Sequence, residues 1–229
     1  MLRNTSTTPN NFGNAVLSVE GNHSVSVLLS FIDANISGFR DYYFKSEMSS
    51  DENFISHNLV NYFNSWLNDE SNGFAPYKFS FGKNPPQHGS RKETDIGVVI
   101  LNPSQPSQTI IEFEAKRLSD SSANSEYVYG ERGGIERFKR NYHGAHLTIC
   151  GMFGYIQSKT TSVWVDKING WITKLSNDDT DNTIDWNPPK EKLKILITFE
   201  HVDKYESENV RINKPILKLY HYFINLVPN

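Results

Sequence analysis

The chain has 229 residues, enough for one large domain, and its 37% hydrophobic and 13% aromatic content supports an ordinary buried core rather than disorder. A formal net charge of −3 argues against a surface coated in positive potential, while leaving room for a local basic groove. No apolar run reaches the roughly 20 residues that span a bilayer. The polar start Met1–Ser6 lacks an apolar signal core, and the single cysteine, Cys150, excludes a disulfide framework and a thiolate metal cluster. A cytoplasmic protein with no membrane partner is expected.

Residues 1–20 are rich in Asn, Thr and Ser and read as a flexible N-terminal arm; residues 21–229 read as one domain. From Ser24 to Tyr43, Val25, Leu28, Leu29, Ile32, Ile36 and Phe39 recur at helical spacing. A second helix is expected from about Asp51 to Asn68, with Ile55, Leu59, Phe63 and Trp66 on one face. Tyr77, Phe79 and Phe81 alternate with polar residues, as in a half-buried strand. After the polar loop Gly82–Lys92, two strands follow: Ile96–Leu101 and Ile110–Lys116, divided by a turn holding Pro103 and Pro106. A short helix is expected over Gly134–Tyr142, a strand over His146–Tyr155, and an amphipathic helix over Thr161–Leu175 carrying Val163, Val165, Ile168, Trp171 and Ile172. Leu193–Phe199 and Ile216–Leu226 read as closing strands. The order predicts an α/β class: a mixed β-sheet flanked by helices in a single domain.

The densest chemistry lies between Asp95 and Lys116. Asp95 heads one strand of a hairpin, and Glu114-Ala115-Lys116 lies on the other. Side chains alternate across a strand, so Glu114 and Lys116 share a face. Gathering such charges is costly unless a cation or a substrate compensates them. The competing structural reading is an exposed strand on which Glu112, Glu114 and Lys116 pair across a sheet.

Asp95 followed by Glu114-Ala115-Lys116 resembles the PD-(D/E)xK nuclease superfamily, with its restriction-endonuclease-like fold. Thr94 stands where the name motif has Pro. The resemblance spans about residues 50–155 as an order of elements. It implies a hard oxygen site for Mg²⁺, with Mn²⁺ as a substitute, formed by Asp95, Glu114 and the backbone carbonyl of Ala115. The metal would polarise the scissile phosphate and a water, and Lys116 would orient or help deprotonate that water and stabilise the transition state. A Glu on the helix before the hairpin joins the metal site in many such proteins, and Glu52 matches that place. Ser49-x-x-Glu52 also reads as a capping box, in which Glu52 would only satisfy a backbone N–H.

The stretch Gly130–Tyr142 is a second candidate. Gly133 and Gly134 would let the backbone approach a ligand at a helix N-terminus, while Arg132, Arg137 and Arg140 would hold phosphates; a solvated helix face with Glu/Arg pairs is the alternative. Arg91 and Lys92, ahead of Asp95, are further phosphate candidates, as is Lys83. His143-x-x-His146 is a weak half of a zinc site. The acidic run Asn177–Asn182 lacks the Gly and terminal Glu of a calcium loop. His221 reads as a structural histidine.

The expectation is therefore a Mg²⁺-dependent endonuclease hydrolysing phosphodiester bonds of DNA, fitting restriction or antiviral defence. Its partners would be DNA and either a second copy in a homodimer or a defence-system protein. The alternatives are a non-catalytic nucleic-acid-binding or partner-recruiting subunit that keeps the fold, an interaction protein with a merely structural charged strand, and a nuclease acting on RNA.

Overall fold

The structure is a computed structural model that describes residues 12–46, 49–69, 78–84, 93–101, 107–121, 124–178, 181 and 183–228. Helices α1 (Phe12–Asn35), α2 (Gly38–Lys45) and α3 (Glu52–Leu67) precede β1 (Phe79–Lys83), β2 (Ile96–Ile100) and β3 (Gln108–Leu118). A 3-10 turn (Asn124–Tyr127) and α4 (Gly134–Lys139) lead to β4 (Ile149–Ile156). Then come α5 (Thr161–Leu175), α6 (Pro188–Glu191), β5 (Lys194–Phe199), β6 (Val202–Arg211) and β7 (Lys214–Asn225). Much of the expected arm, residues 1–11, lies outside the described residues, and α1 starts at Phe12, earlier than its apolar stripe.

The strands form one seven-stranded sheet in the order β1-β2-β3-β4-β7-β6-β5. β3, β4 and β7 run parallel, and the hairpins on either side are antiparallel, so the sheet is mixed, as expected. The chain crosses from β3 to β4 through α4, and from β4 to β7 through α5 and the β5–β6 hairpin. Central β4 is apolar on both faces, as a parallel strand covered on both sides must be. Phe153 and Tyr155 join Phe31, Ile55, Leu59 and Phe63 of α1 and α3 on one face. Cys150, Met152 and Ile156 join Ile135, Phe138, Trp164 and Ile168 of α4 and α5 on the other. Among the described residues no helix is long and apolar enough to cross a membrane.

Three local readings need correction. The helix expected over Ser24–Tyr43 is broken at Ile36-Ser37, where the Tyr62 hydroxyl donates to the carbonyl of Asn35 (2.8 Å) at the end of α1. On α5 the buried face is Trp164, Val165, Ile168 and Ile172, while Val163 stands exposed. Strand β6 went unpredicted because its inward positions are polar: Lys204, Ser207, Asn209 and Arg211 are all buried. Each has a partner: Lys204 pairs with Asp33 (2.7 Å), Ser207 Oγ lies 2.9 Å from His221 Nε2, Asn209 donates to Ser207 Oγ (2.8 Å) and Arg211 to the carbonyl of Pro215 (2.8 Å). Lys204 lies on one face of the sheet and Ser207, Asn209 and Arg211 on the other, and a period of apolar residues cannot reveal a strand whose buried positions are polar.

Candidate active site

The site begins with a mismatch in strand length. β2 starts at Ile96, which pairs with Phe113, so β3 runs on past its neighbour. In an antiparallel pair, alternate residues of a strand turn both N–H and C=O toward the same neighbour. Phe113, Ala115 and Arg117 share that direction, and beyond Phe113 the groups have no strand to meet. Two carboxylates take the place of the missing backbone: Asp95 Oδ2 accepts from Ala115 N (2.7 Å), and Glu52 Oε2 accepts from Arg117 N (2.7 Å). The Ala115 carbonyl, by the same alternation, faces the gap between them.

Glu52 is therefore not half of a capping box. The cap of α3 is Asp51, whose side chain accepts from Asn53 N and Phe54 N, while Ser49 Oγ bonds Asp51 N. Glu52, at the first helical position, is freed to reach β3. Ile55 and Leu59 anchor the same helix in the core and fix its aim.

Glu114 and Lys116 point to the face of the sheet that carries α4. Glu112 and Glu114 are 1% exposed and Lys116 8%, which rules out an exposed structural strand. Glu114 is enclosed by two cations and a histidine: Lys116 Nζ at 2.9 Å and Arg137 Nη1 at 3.0 Å from Oε1, and His143 Nδ1 at 3.0 Å from Oε2. Lys116 Nζ lies 3.8 Å from Glu52 Oε1, so it stands between the buried carboxylate and the open edge. Glu112 is matched separately, accepting from Gly144 N (2.8 Å).

The acids respond differently. Burial and the neighbouring charges of Glu114 and Glu52 raise Asp95 to about 7, against opposing help from Lys116 and the Ala115 N–H. Burial also lifts Glu52, partly offset by Lys116 and the Arg117 N–H. Burial acts upward on Glu114 too, but the His143 hydrogen bond and Lys116 prevail and pull it down to about 2. Burial opposes the charged form of Lys116, yet Glu114, Glu52 and Asp95 together raise it above its ordinary value. Lys116 is thus a fixed cation at neutral pH, and Asp95 is a carboxyl that gives up its proton near neutrality.

The remaining sequence candidates separate. Arg137 does not lie on a solvated face; it reaches Glu114 and lines an open cavity of about 200 Å³ with Gly130, Glu131, Glu136, Arg140 and Tyr142. Arg140 is held by Glu136 (2.7 Å), Thr183 (3.0 Å) and Asp181, and Arg132 is exposed. Gly133 and Gly134 are buried. A Cβ on Gly133 would lie 2.4 Å from the Tyr129 carbonyl carbon, and one on Gly134 would meet Met152 Cε at 2.4 Å and Glu114 Cγ at 3.4 Å. Gly134 lets α4 press against the sheet and Glu114, and Gly133 lets its start pass close to the Tyr129–Gly130 backbone, so close packing accounts for both. Arg91 and Lys92 lie outside the described residues, as do Tyr77, Pro103 and Pro106. Lys83 donates to the carbonyl of Asn53 (3.0 Å).

Sequence reasoning missed His143 as part of this site and weighed it only against His146, which is exposed while His143 is fully buried. A single histidine beside a Gly, 25 residues after the end of β3 at Leu118, gives no pattern to detect. His221 is a neutral core residue: burial lowers it to about 3, between the Tyr127 hydroxyl (3.0 Å) and Ser207. Among the described residues no three His, Cys, Asp or Glu side chains form a ready-made metal cage. The donors present are Asp95, Glu52 and Glu114 with Lys116 among them, a set whose oxygens suit a hard divalent cation and whose crowding is relieved by one.

The chain matches no protein-family model, no curated protein and no solved structure.

Proposed function

We propose that this chain is a metal-dependent phosphodiesterase of the restriction-endonuclease-like type, acting on nucleic acid and by preference on DNA. One observation carries the reading: Asp95, Glu52 and the Ala115 carbonyl converge on the free edge of β3, beside a buried Glu114–Lys116 pair. Perturbed carboxyls gather at functional sites, and Asp95, raised to about 7 by burial and by Glu114 and Glu52, supports the reading. Asp95, Glu114, Glu52 and the Ala115 carbonyl would hold Mg²⁺ or Mn²⁺, which when bound would polarise the scissile phosphate and a water.

The chain's own groups supply the rest. Asp95 and Glu52 each commit one oxygen to a β3 amide, so their free oxygens are fixed in direction before any ligand arrives. Lys116, held protonated by three acids, places a positive charge where a phosphoryl group gains negative charge. Its charged state makes it a stabiliser of that charge rather than a resting base. Without metal Asp95 takes up a proton near neutral pH, so a metal bound there would displace that proton. Glu52 sits on α3, Asp95 directly before β2, and Glu114, Ala115 and Lys116 on β3, elements packed on one core.

The test is hydrolysis of supercoiled plasmid, linear duplex, single-stranded DNA and RNA by the purified chain, with Mg²⁺, Mn²⁺ or EDTA. Metal-dependent cleavage lost in Lys116→Ala is expected. A folded, metal-supplied wild type that cleaves none of the four would refute the reading and favour a binding subunit that retains the fold. Restriction or antiviral defence, and a homodimer or partner protein, are the biological settings that suit such an enzyme.

A further inference from the structure

Glu114 Oε1 is already shared by two cations, and they are not equivalent. Lys116 comes from the same strand and is hemmed in by Glu52 and Asp95. Arg137 comes from α4, and its side chain is 21% exposed, against 10% for that of Lys116. The far side of Arg137 opens on the 200 Å³ cavity, which also holds Tyr142, itself 39% exposed. A divalent ion on Glu114 Oε1 and a guanidinium 3.0 Å from the same oxygen would repel each other across this buried carboxylate. One of them must withdraw, and Arg137 is the one with room to do so. His143, fully buried on Oε2, keeps the carboxylate in place meanwhile.

We infer that Arg137 exchanges between two partners: Glu114 when the site is without metal, and a substrate phosphodiester in the adjoining cavity when metal is bound. The inference rests on the metal-dependent reading and deepens it. It makes metal and nucleic acid cooperative ligands, because the metal releases the residue that binds the backbone, and by linkage the backbone favours the metal. Arg137 suits both roles, since a guanidinium matches carboxylate and phosphate alike. Glu131, Glu136 and Arg140 line the cavity with Arg137; Arg140 is engaged by Glu136 and Asp181, so an Arg137 released from Glu114 is the cation a phosphate there would meet.

The experiment measures Mn²⁺ binding to the full chain from its free-ion electron paramagnetic resonance signal. It is run alone and with short phosphorothioate-backbone DNA or RNA, which resists hydrolysis; the two oligonucleotides distinguish the source of the phosphodiester. In Arg137→Met, Mn²⁺ affinity without oligonucleotide is expected to rise about tenfold, and the tightening caused by oligonucleotide to shrink by a similar factor, a coupling of ordinary size. Unchanged or weaker Mn²⁺ affinity in that variant overturns the exchange. Should Arg137→Met not fold, arginine side-chain nitrogen NMR of the wild type decides, with Arg137→Lys identifying the signal. A shift on adding Mg²⁺ alone and a second, distinct shift on adding oligonucleotide are expected; a signal indifferent to Mg²⁺ refutes the exchange. Mn²⁺ that fails to bind the wild type under any condition would instead sink the metal-dependent function. Binding abolished by Asp95→Asn, with Arg137→Met behaving as wild type, would leave that function standing and remove only this inference.

Discussion

Asp95→Asn should make this protein more stable while destroying its site. The substitution is nearly isosteric, and the asparagine oxygen can still accept from Ala115 N, so only the charge is removed. In the fold Asp95 is raised from 3.8 to about 7 by burial and by Glu114 and Glu52. At about 1.4 kcal/mol per factor of ten, that penalises the charged form by about 4 kcal/mol at the ceiling. Asp95 is only partly buried, and local relaxation will absorb some of the penalty, so about 2 kcal/mol is the working figure. The sign follows from linkage. A carboxyl raised in the fold contributes stability that is full below its unfolded value near 4 and is lost as pH climbs through 7. The variant's advantage should thus be close to zero at pH 3.5, grow between pH 4 and 7, and level off at pH 8. Urea denaturation of both proteins in EDTA across that range measures it, the subtraction cancelling the other titrating groups. At pH 8 the thermal midpoint should rise by about 4–8 °C for a chain of this size. A variant equally or less stable at pH 8, or a difference flat with pH, would mean that Asp95 is not crowded by Glu114 and Glu52, and the electrostatic argument for the site would fall.

Other perturbations test the supports. Glu52→Gln keeps an acceptor for Arg117 N and should cost under about 1 kcal/mol, whereas Glu52→Ala exposes that amide and should cost about 1–2 kcal/mol more; equal urea midpoints would show the contact is idle. Gly133→Ala forces a methyl onto the Tyr129 backbone and should cost about 2–3 kcal/mol, more than Gly134→Ala, whose nearest obstacle is the mobile end of Met152; comparison of the two thermal midpoints checks the order. Lys139 and Glu191 form an ion pair with both side chains fully buried, and Glu191 also accepts from Val210 N (3.0 Å) and Asn187 N (3.0 Å). Removing either partner alone should cost about 3–5 kcal/mol, and a double-mutant cycle with Lys139→Met and Glu191→Gln should show strong coupling between them.

Much of the fold was legible because its signals are local. The Ile55-Leu59-Phe63 stripe, the apolar run of β4 and the Thr161–Leu175 helix each carry their period in consecutive residues. Asp95, Glu114 and Lys116 were legible for the same reason, being set by strand alternation across one hairpin. What the sequence could not disclose depends on contacts between distant residues. Glu52 meets Arg117 across 65 positions, and His143 meets Glu114 only because α4 folds back over β3. Gly133 and Gly134 at the start of α4 are set by close packing, which small residues serve as readily as ligand approach. Polar β6 stayed hidden because its buried positions carry no apolar period and one key partner, Asp33, lies 171 positions from Lys204.

The overhang of β3 beyond β2 also acts as a ruler. Ala115 N and Arg117 N are two residues apart on one strand, so their separation is fixed at about 6.7 Å by the rise of an extended chain. Each amide pins one carboxylate, and the spacing of Asp95 and Glu52 is thereby set by backbone geometry rather than by the packing of the elements that carry them. Drift of α3 or of the β2 entry can be absorbed by side-chain rotation, while the two oxygens stay registered to the same strand. A β2 extended by four residue pairs, as far as Arg117, would erase the ruler, because it would then cover both amides with its own carbonyls.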